Sequence, residues 1–198
     1  MQPKYLIPSD LGGSKTLSKG NGLSEEEAAL HGSRVHKLLE LLPKYSSQDW
    51  PEYSLKMLKA NRLLDGPPNV ESAIKEALSV LTDPKFSYIF AKDVLSEVPF
   101  SAQLPNLKNQ KIYGIIDRLI VGSNNVQIID FKTNSTVPKT ANKIPLGILR
   151  QMWAYKLAIE EIYPGKEVSC YILWTAIKKI DHLEEDLLDY DNLDGSTS

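Results

Sequence analysis

The chain has 198 residues, 42% of them hydrophobic, and a formal net charge of −2. That size buries an ordinary core as one domain with an appended arm, and no apolar run approaches the ~18 residues of a transmembrane helix. A single cysteine, Cys170, excludes intrachain disulfides, a cysteine-based zinc site and a four-cysteine iron–sulfur cluster; with no signal-peptide pattern at the start, an intracellular, cytoplasmic location is expected.

Residues 1–24 read as a flexible N-terminal arm or linker, because 8–24 (PSDLGGSKTLSKGNGLS) is rich in Gly and Ser and poor in apolar side chains. Ser24 and Glu27 form an S-x-x-E capping box, so a helix follows to about Leu42, where Pro43 stops it. Val35, Leu38, Leu39 and Leu42 are its core stripe, and His36 lies beside that stripe. Two more helices are predicted near 50–64 and 68–81, punctuated by Pro51 and Pro67-Pro68. Segments 93–103, 111–121 and 126–133 then read as an antiparallel meander. A polar loop with Pro138 and Pro145 leads to a helix over 147–163, ended by Pro164-Gly165, and VSCYILWTA at 168–176 is a buried strand. Residues 179–198 are an acidic tail: 181–198 hold seven acidic residues and no Lys or Arg, leaving 23 basic against 18 acidic residues before them, a net of +5. Between arm and tail, 25–178 is a mixed α/β domain: a central sheet flanked by helices, with a helical N-terminal part and a mildly basic balance that suits a polyanion.

The stretch GIIDRLIVGSNNVQIIDFKT at 114–133 places charges inside a hairpin pattern. With Gly122-Ser123-Asn124-Asn125 as the loop, Val121 faces Val126 and Asp117 falls opposite Asp130. Alternation puts Lys132 on the face of Asp130, with Asp117 beside them. Opposed carboxylates destabilise a sheet unless something offsets them. Two explanations remain open at this point: an ion-pair network through Lys132, or a divalent cation, since carboxylate oxygens suit Mg²⁺ and Mn²⁺ and such sites hydrolyse phosphodiesters.

Other candidates stand around this hairpin. Gly114 marks a bulge or the close approach of a ligand. His36 is a core-edge residue or a metal ligand. Gln151 and Tyr155, at i, i+4, edge a helix or face the site as a nucleic-acid-contacting pair. Glu97 is an exposed charge or a further carboxylate of the site. Lys108, Lys111, Arg118, Lys139, Lys143 and Arg150 form a candidate phosphate track.

His36, Gly114-Ile115-Ile116-Asp117, Asp130-Phe131-Lys132-Thr133 and Gln151-Met152-Trp153-Ala154-Tyr155, in this order, resemble the PD-(D/E)xK nuclease superfamily. Within it the pattern is similar to the RecB-type branch, and the wording VHKLLELLPK and IYPGKEVSCYILWT is most similar to AddA-type nuclease domains of bacterial helicase–nucleases. The resemblance implies a restriction-endonuclease-like core and a Mg²⁺- or Mn²⁺-dependent deoxyribonuclease, an exonuclease in its family context of double-strand break repair and recombination. It implies His36, Asp117, Asp130 and the Phe131 carbonyl as metal ligands, and Asp117, Asp130 and Lys132 as catalytic. Gln151, Tyr155, Glu97, Arg118 and Arg150 would shape the site or contact DNA. Implied partners are a single DNA strand, an upstream helicase domain and an AddB-like subunit, in a bacterial cytoplasm. No G-x-x-x-x-G-K-[ST] is present, so no ATP site is expected in this chain. The competing reading is a catalytically silent, nuclease-like DNA-binding or subunit-docking module.

Overall fold

In α1 (Glu25–Leu41) the capping box forms as the sequence requires. Ser24 Oγ accepts from the Glu27 amide at 3.2 Å, and the Glu27 carboxylate accepts from the Ser24 amide at 2.7 Å. Two more helices, α2 (Trp50–Ala60) and α3 (Val70–Leu81), pack on α1, the latter capped by the Asn69 side chain. The computed structural model describes residues 5–13, 22–104 and 109–189. No helix among them is long and apolar enough to cross a membrane.

The strands are β1 (Leu95–Leu104), β2 (Gln110–Val121), β3 (Asn125–Lys132), β4 (Glu167–Trp174) and β5 (Lys179–Leu183), and α4 (Leu146–Ile162) connects β3 to β4. They form one mixed sheet in the order β1-β2-β3-β4-β5, antiparallel except for the β3–β4 pair that the α4 crossover joins. This is the α/β, restriction-endonuclease-like architecture that the sequence leads one to expect.

Each face of the sheet has its own core. Ile112, Ile116 and Ile128 pack with Met152, Ala158 and other side chains of α4. The neighbouring residues of β3, Ile129 and Phe131, point the other way into the core made by α1, α2 and α3. That helical cover reaches β3, β4 and β5 but leaves much of β1 and β2 bare on its side, where Tyr113 and Ile115 are exposed.

Two segments differ from expectation. In the arm, Leu6 makes a parallel bridge to Ile112, with both backbone bonds at 2.9 Å, and Pro8 is buried. The reason is an open strand edge: β3 pairs with β2 only from Arg118 to Val121, so the first half of β2 accepts the arm instead. Residues 14–21 of the expected linker lie outside the described residues. In the acidic segment, β5 pairs with β4, and Leu183 and Leu188 are buried. Its charge count conceals Ile180, Leu183 and Leu188, which are enough to anchor an edge strand; residues 190–198 lie outside the described residues.

Candidate metal centre and its surroundings

The hairpin register is Val121↔Val126 through Arg118↔Ile129, and the ladder ends there, one pair before Asp117 and Asp130. Beyond that point β2 and β3 no longer pair, and side chains enter the gap. Asp117 Oδ2 accepts from the Phe131 amide at 2.6 Å. Its Oδ1 lies 3.2 Å from His36 Nδ1, while His36 Nε2 faces the Phe131 carbonyl at 3.1 Å. Both imidazole nitrogens thus face oxygens, which favours the doubly protonated ring. Burial opposes that charge, yet Asp117 and, more weakly, Asp130 overcome it and raise the His36 pKa to about 9.

Glu97 comes to the same place by an irregular route. β1 pairs with β2 at Ser96↔Arg118 and Val98↔Ile116, and between them Glu97 leaves the ladder with φ +49°. That left-handed conformation costs a side-chain-bearing residue roughly 1–3 kcal/mol. It brings single ligand atoms of His36, Glu97 and Asp117 within 4.8 Å of one another. Burial, followed by repulsion from Asp117 and Glu40, raises the Glu97 carboxyl above its ordinary range.

On the α4 side, Asp130 is buried and its Oδ2 is paired with the Lys132 ammonium at 2.7 Å. Gln151 ties the group together, donating to Asp130 Oδ1 at 3.2 Å and to the Tyr155 hydroxyl at 2.9 Å while accepting from Lys132 Nζ at 3.2 Å. The Tyr155 hydroxyl donates to the Ile115 carbonyl at 2.9 Å. Burial and the nearby Asp130 push the Tyr155 phenol far up, which keeps it a donor. The two aspartates separate as neighbouring carboxylates do. Burial and Asp117 raise Asp130, whereas Asp117, against the cost of its own burial, is held low by His36 and the Phe131 amide.

Several expected contacts take other roles. Gln151 and Tyr155 are only 8% and 5% exposed, so they position Asp130, Lys132 and β2 rather than present a surface to nucleic acid. Arg118 is 3% exposed, donates to the Leu39 carbonyl and lies over the Phe90 ring at 5.0 Å. It therefore belongs to the helical core and not to a phosphate track. The alternation along β2 slips at Asp117: Ile116 and Leu119 both enter the α4 core, and Arg118 turns to the other side. Arg150 reaches the Leu11 carbonyl at 3.4 Å and so holds the arm. Lys108 lies outside the described residues. Gly114 leaves room for packing: a Cβ there would stand 2.7 Å from the Phe100 ring, which itself meets Tyr155 edge-on.

Two polar clusters escape the sequence reading. Arg34, fully buried, donates to the carbonyls of Leu63, Leu64, Asp65, Gly66 and Pro68 and so holds the α2–α3 connection. Glu76 contacts His31 at 2.8 Å and the Thr175 hydroxyl at 2.5 Å, and Thr175 also lies 3.2 Å from the Lys132 carbonyl. This chain anchors the end of β3 that carries Lys132. Its partners lie 45 and 99 residues apart, beyond any local pattern.

The donor set fits a hard divalent cation. Ligand atoms of His36, Glu97 and Asp117 converge, and the Phe131 carbonyl lies beside the imidazole; Asp130 stands outside that trio, paired with Lys132. A ligating imidazole must be neutral, so His36 would give up a proton and its present contact on the ligating nitrogen.

A family model described as the PD-(D/E)XK nuclease superfamily matches residues 11–190. No curated protein matches the chain. A solved structure titled "Crystal structure of SSO0001" is similar at 16% identity and a TM-score of 0.37, over 88% of this chain and 89% of that one.

Proposed function

Since the chain belongs to the PD-(D/E)XK nuclease superfamily, whose members are generally nucleases that use divalent metal, we propose that it is a Mg²⁺- or Mn²⁺-dependent deoxyribonuclease acting as an exonuclease. The observation that carries this reading is the convergence of His36, Glu97 and Asp117 where β2 and β3 part, with the Asp130–Lys132 pair close enough to act on His36. In an ordinary ion-pair network each acid is held low by its partner; here Glu97 and Asp130 are both held above their ordinary range, by burial first, and Asp117 adds repulsion to each.

His36, Glu97, Asp117 and Asp130 would hold the cation, with the Phe131 carbonyl as a further ligand. The bound cation supplies Lewis-acid polarisation of the phosphate and a more acidic water. Lys132 is held beside Asp130 by that carboxylate and by Gln151. There it orients the attacking water and offsets the negative charge that grows on the phosphate oxygens in the transition state. Tyr155 and Gln151 keep Asp130 and the β2 backbone in register with that task.

The RecB-type pattern of the motifs favours a domain of a helicase–nuclease in double-strand break repair and recombination, with an upstream motor feeding it a strand and an AddB-like subunit beside it. Cleavage of end-labelled single-stranded DNA with Mg²⁺, Mn²⁺ or EDTA, alongside Asp130→Ala, tests the activity. Metal-dependent cutting that disappears in the variant supports the nuclease. DNA binding without cutting under every condition favours the silent DNA-binding module.

A further inference from the structure

The sheet face that carries Asp117 is covered by helices over one half only. On the bare half, Lys111, Tyr113 and Ile115 alternate along β2 on the face that ends at Asp117, in steps of about 7 Å. Their neighbours across the β1 ladder are Gln103, Ser101 and Pro99 in the same order, all exposed and too small or flexible to cover the β2 side chains. The arm adds a third row: Leu6 turns into the α4 core, so Tyr5 and Ile7 on either side of it face outward. Tyr5, Ile7, Tyr113 and Ile115 are each 44–47% exposed. No acidic side chain stands in these rows until Glu97 and Asp117, in a chain whose net charge is −2.

We propose that this bare half-sheet is a binding track for single-stranded nucleic acid that delivers a phosphate to Asp117. The proposal deepens the nuclease reading and rests on it. Exposed tyrosines on a sheet offer stacking surfaces to unpaired bases, which a duplex keeps inside its own stack. Lys111 at the entry supplies a cation for a phosphate, and the absence of carboxylates along the rows removes the repulsion that a polyanion would meet. The alternation of β2 fixes the direction of travel, from Lys111 past Tyr113 and Ile115 to the site. A protein partner could also cover apolar side chains, but nothing about such a partner requires the rows to run into the acidic cluster.

The test is fluorescence-anisotropy binding of a labelled oligothymidylate in EDTA to the full chain and to Tyr113→Ala, Tyr113→Phe and Lys111→Glu, with a duplex of the same length as comparison. Tyr113→Ala should weaken single-strand binding on the order of 10-fold, and Tyr113→Phe, which keeps the ring, should restore it to within about twofold. Lys111→Glu should weaken binding and flatten its salt dependence. Duplex binding should respond to Lys111→Glu but not to Tyr113→Ala. Wild-type affinity in both Tyr113→Ala and Lys111→Glu overturns the track, as does an equal loss for duplex in Tyr113→Ala or no single-strand binding by the unmodified chain. Cleavage by the unmodified chain with Mg²⁺ is recorded in parallel. Cutting with an unaffected Tyr113→Ala overturns the track and spares the nuclease, whereas track-dependent binding without cutting overturns the nuclease and keeps the track.

Discussion

Helix α1 carries two charges two residues apart, the fully buried Arg34 and the half-buried His36, and they are accommodated in opposite ways. The Arg34 guanidinium is surrounded by five backbone carbonyls, so its donors are spent on neutral acceptors and the loop it holds is fixed. His36 faces Asp117, with Glu97 close by and Asp130 contributing to its field, so it sits among more negative charge than it can neutralise. One cluster is chemically closed and the other is open. A closed cluster is a device of folding, since any change leaves buried groups unpaired. An open one keeps binding capacity for a cation that joins later, and its cost falls on the protein alone until then.

Substitution should separate the two as mirror images, and these are the largest expected effects. Asp117→Asn removes a ligand charge, and cleavage of labelled single-stranded DNA should fall on the order of 10³-fold or more. The melting temperature should change little, because lost pairing with His36 is offset by relief of repulsion with Glu97 and Asp130. Arg34→Met should do the reverse, destabilising by about 3–5 kcal/mol as its carbonyl partners lose their donors, read as a lowered urea midpoint. A variant at Asp117 that unfolds, or one at Arg34 that melts like the unmodified chain, breaks the distinction between open and closed.

The two clusters also differ in how visible they are in the sequence. The open one announces itself: charges inside the β-branched runs of 114–133, a four-residue spacer that fixes Val121↔Val126, and a capping box that sets the phase of His36 on α1. The closed one does not, because Arg34 binds carbonyls, and every residue supplies one. The same holds for His31, Glu76 and Thr175, brought together only by the packing of α1 and α3 and the end of β4. Arg118 misleads for another reason. Strict alternation fails beside Asp117, where Glu97 leaves the ladder at φ +49°, and no residue type in the sequence signals that slip. The spacing of Gln151 and Tyr155 puts them on one helix face and the family resemblance assigns that face to the site, but their burial depends on how deeply α4 seats against β2 and β3.

Protonation sharpens the contrast. The folded His36 pKa of about 9 lies above its ordinary value of 6.5, so its contribution to stability is complete below pH 6.5 and is lost as pH rises through 9. Without metal, the melting temperature should therefore decline across that window by a component that His36→Asn removes. A cation competes with the same proton, so the Mg²⁺-induced rise in melting temperature should grow from pH 6.5 to 9 and then level off. An Mg²⁺ effect that is flat across this range removes His36 from the ligand set.

The smallest expected effect is at Glu97, where the open cluster's cost can be measured in one residue. Its left-handed backbone and its repulsion with Asp117 both work against folding. Glycine adopts that backbone freely but loses more chain entropy on folding, by about 0.5–1 kcal/mol. Glu97→Gly should therefore raise stability in EDTA, by no more than about 1 kcal/mol, while weakening Mg²⁺ binding, measured by the metal-induced thermal shift, on the order of 10- to 100-fold. Opposite signs from one substitution would identify Glu97 as a residue kept for the cation at the expense of the fold. A loss of stability in EDTA would instead assign it to the structure, as a carboxylate whose contacts hold β1 in place.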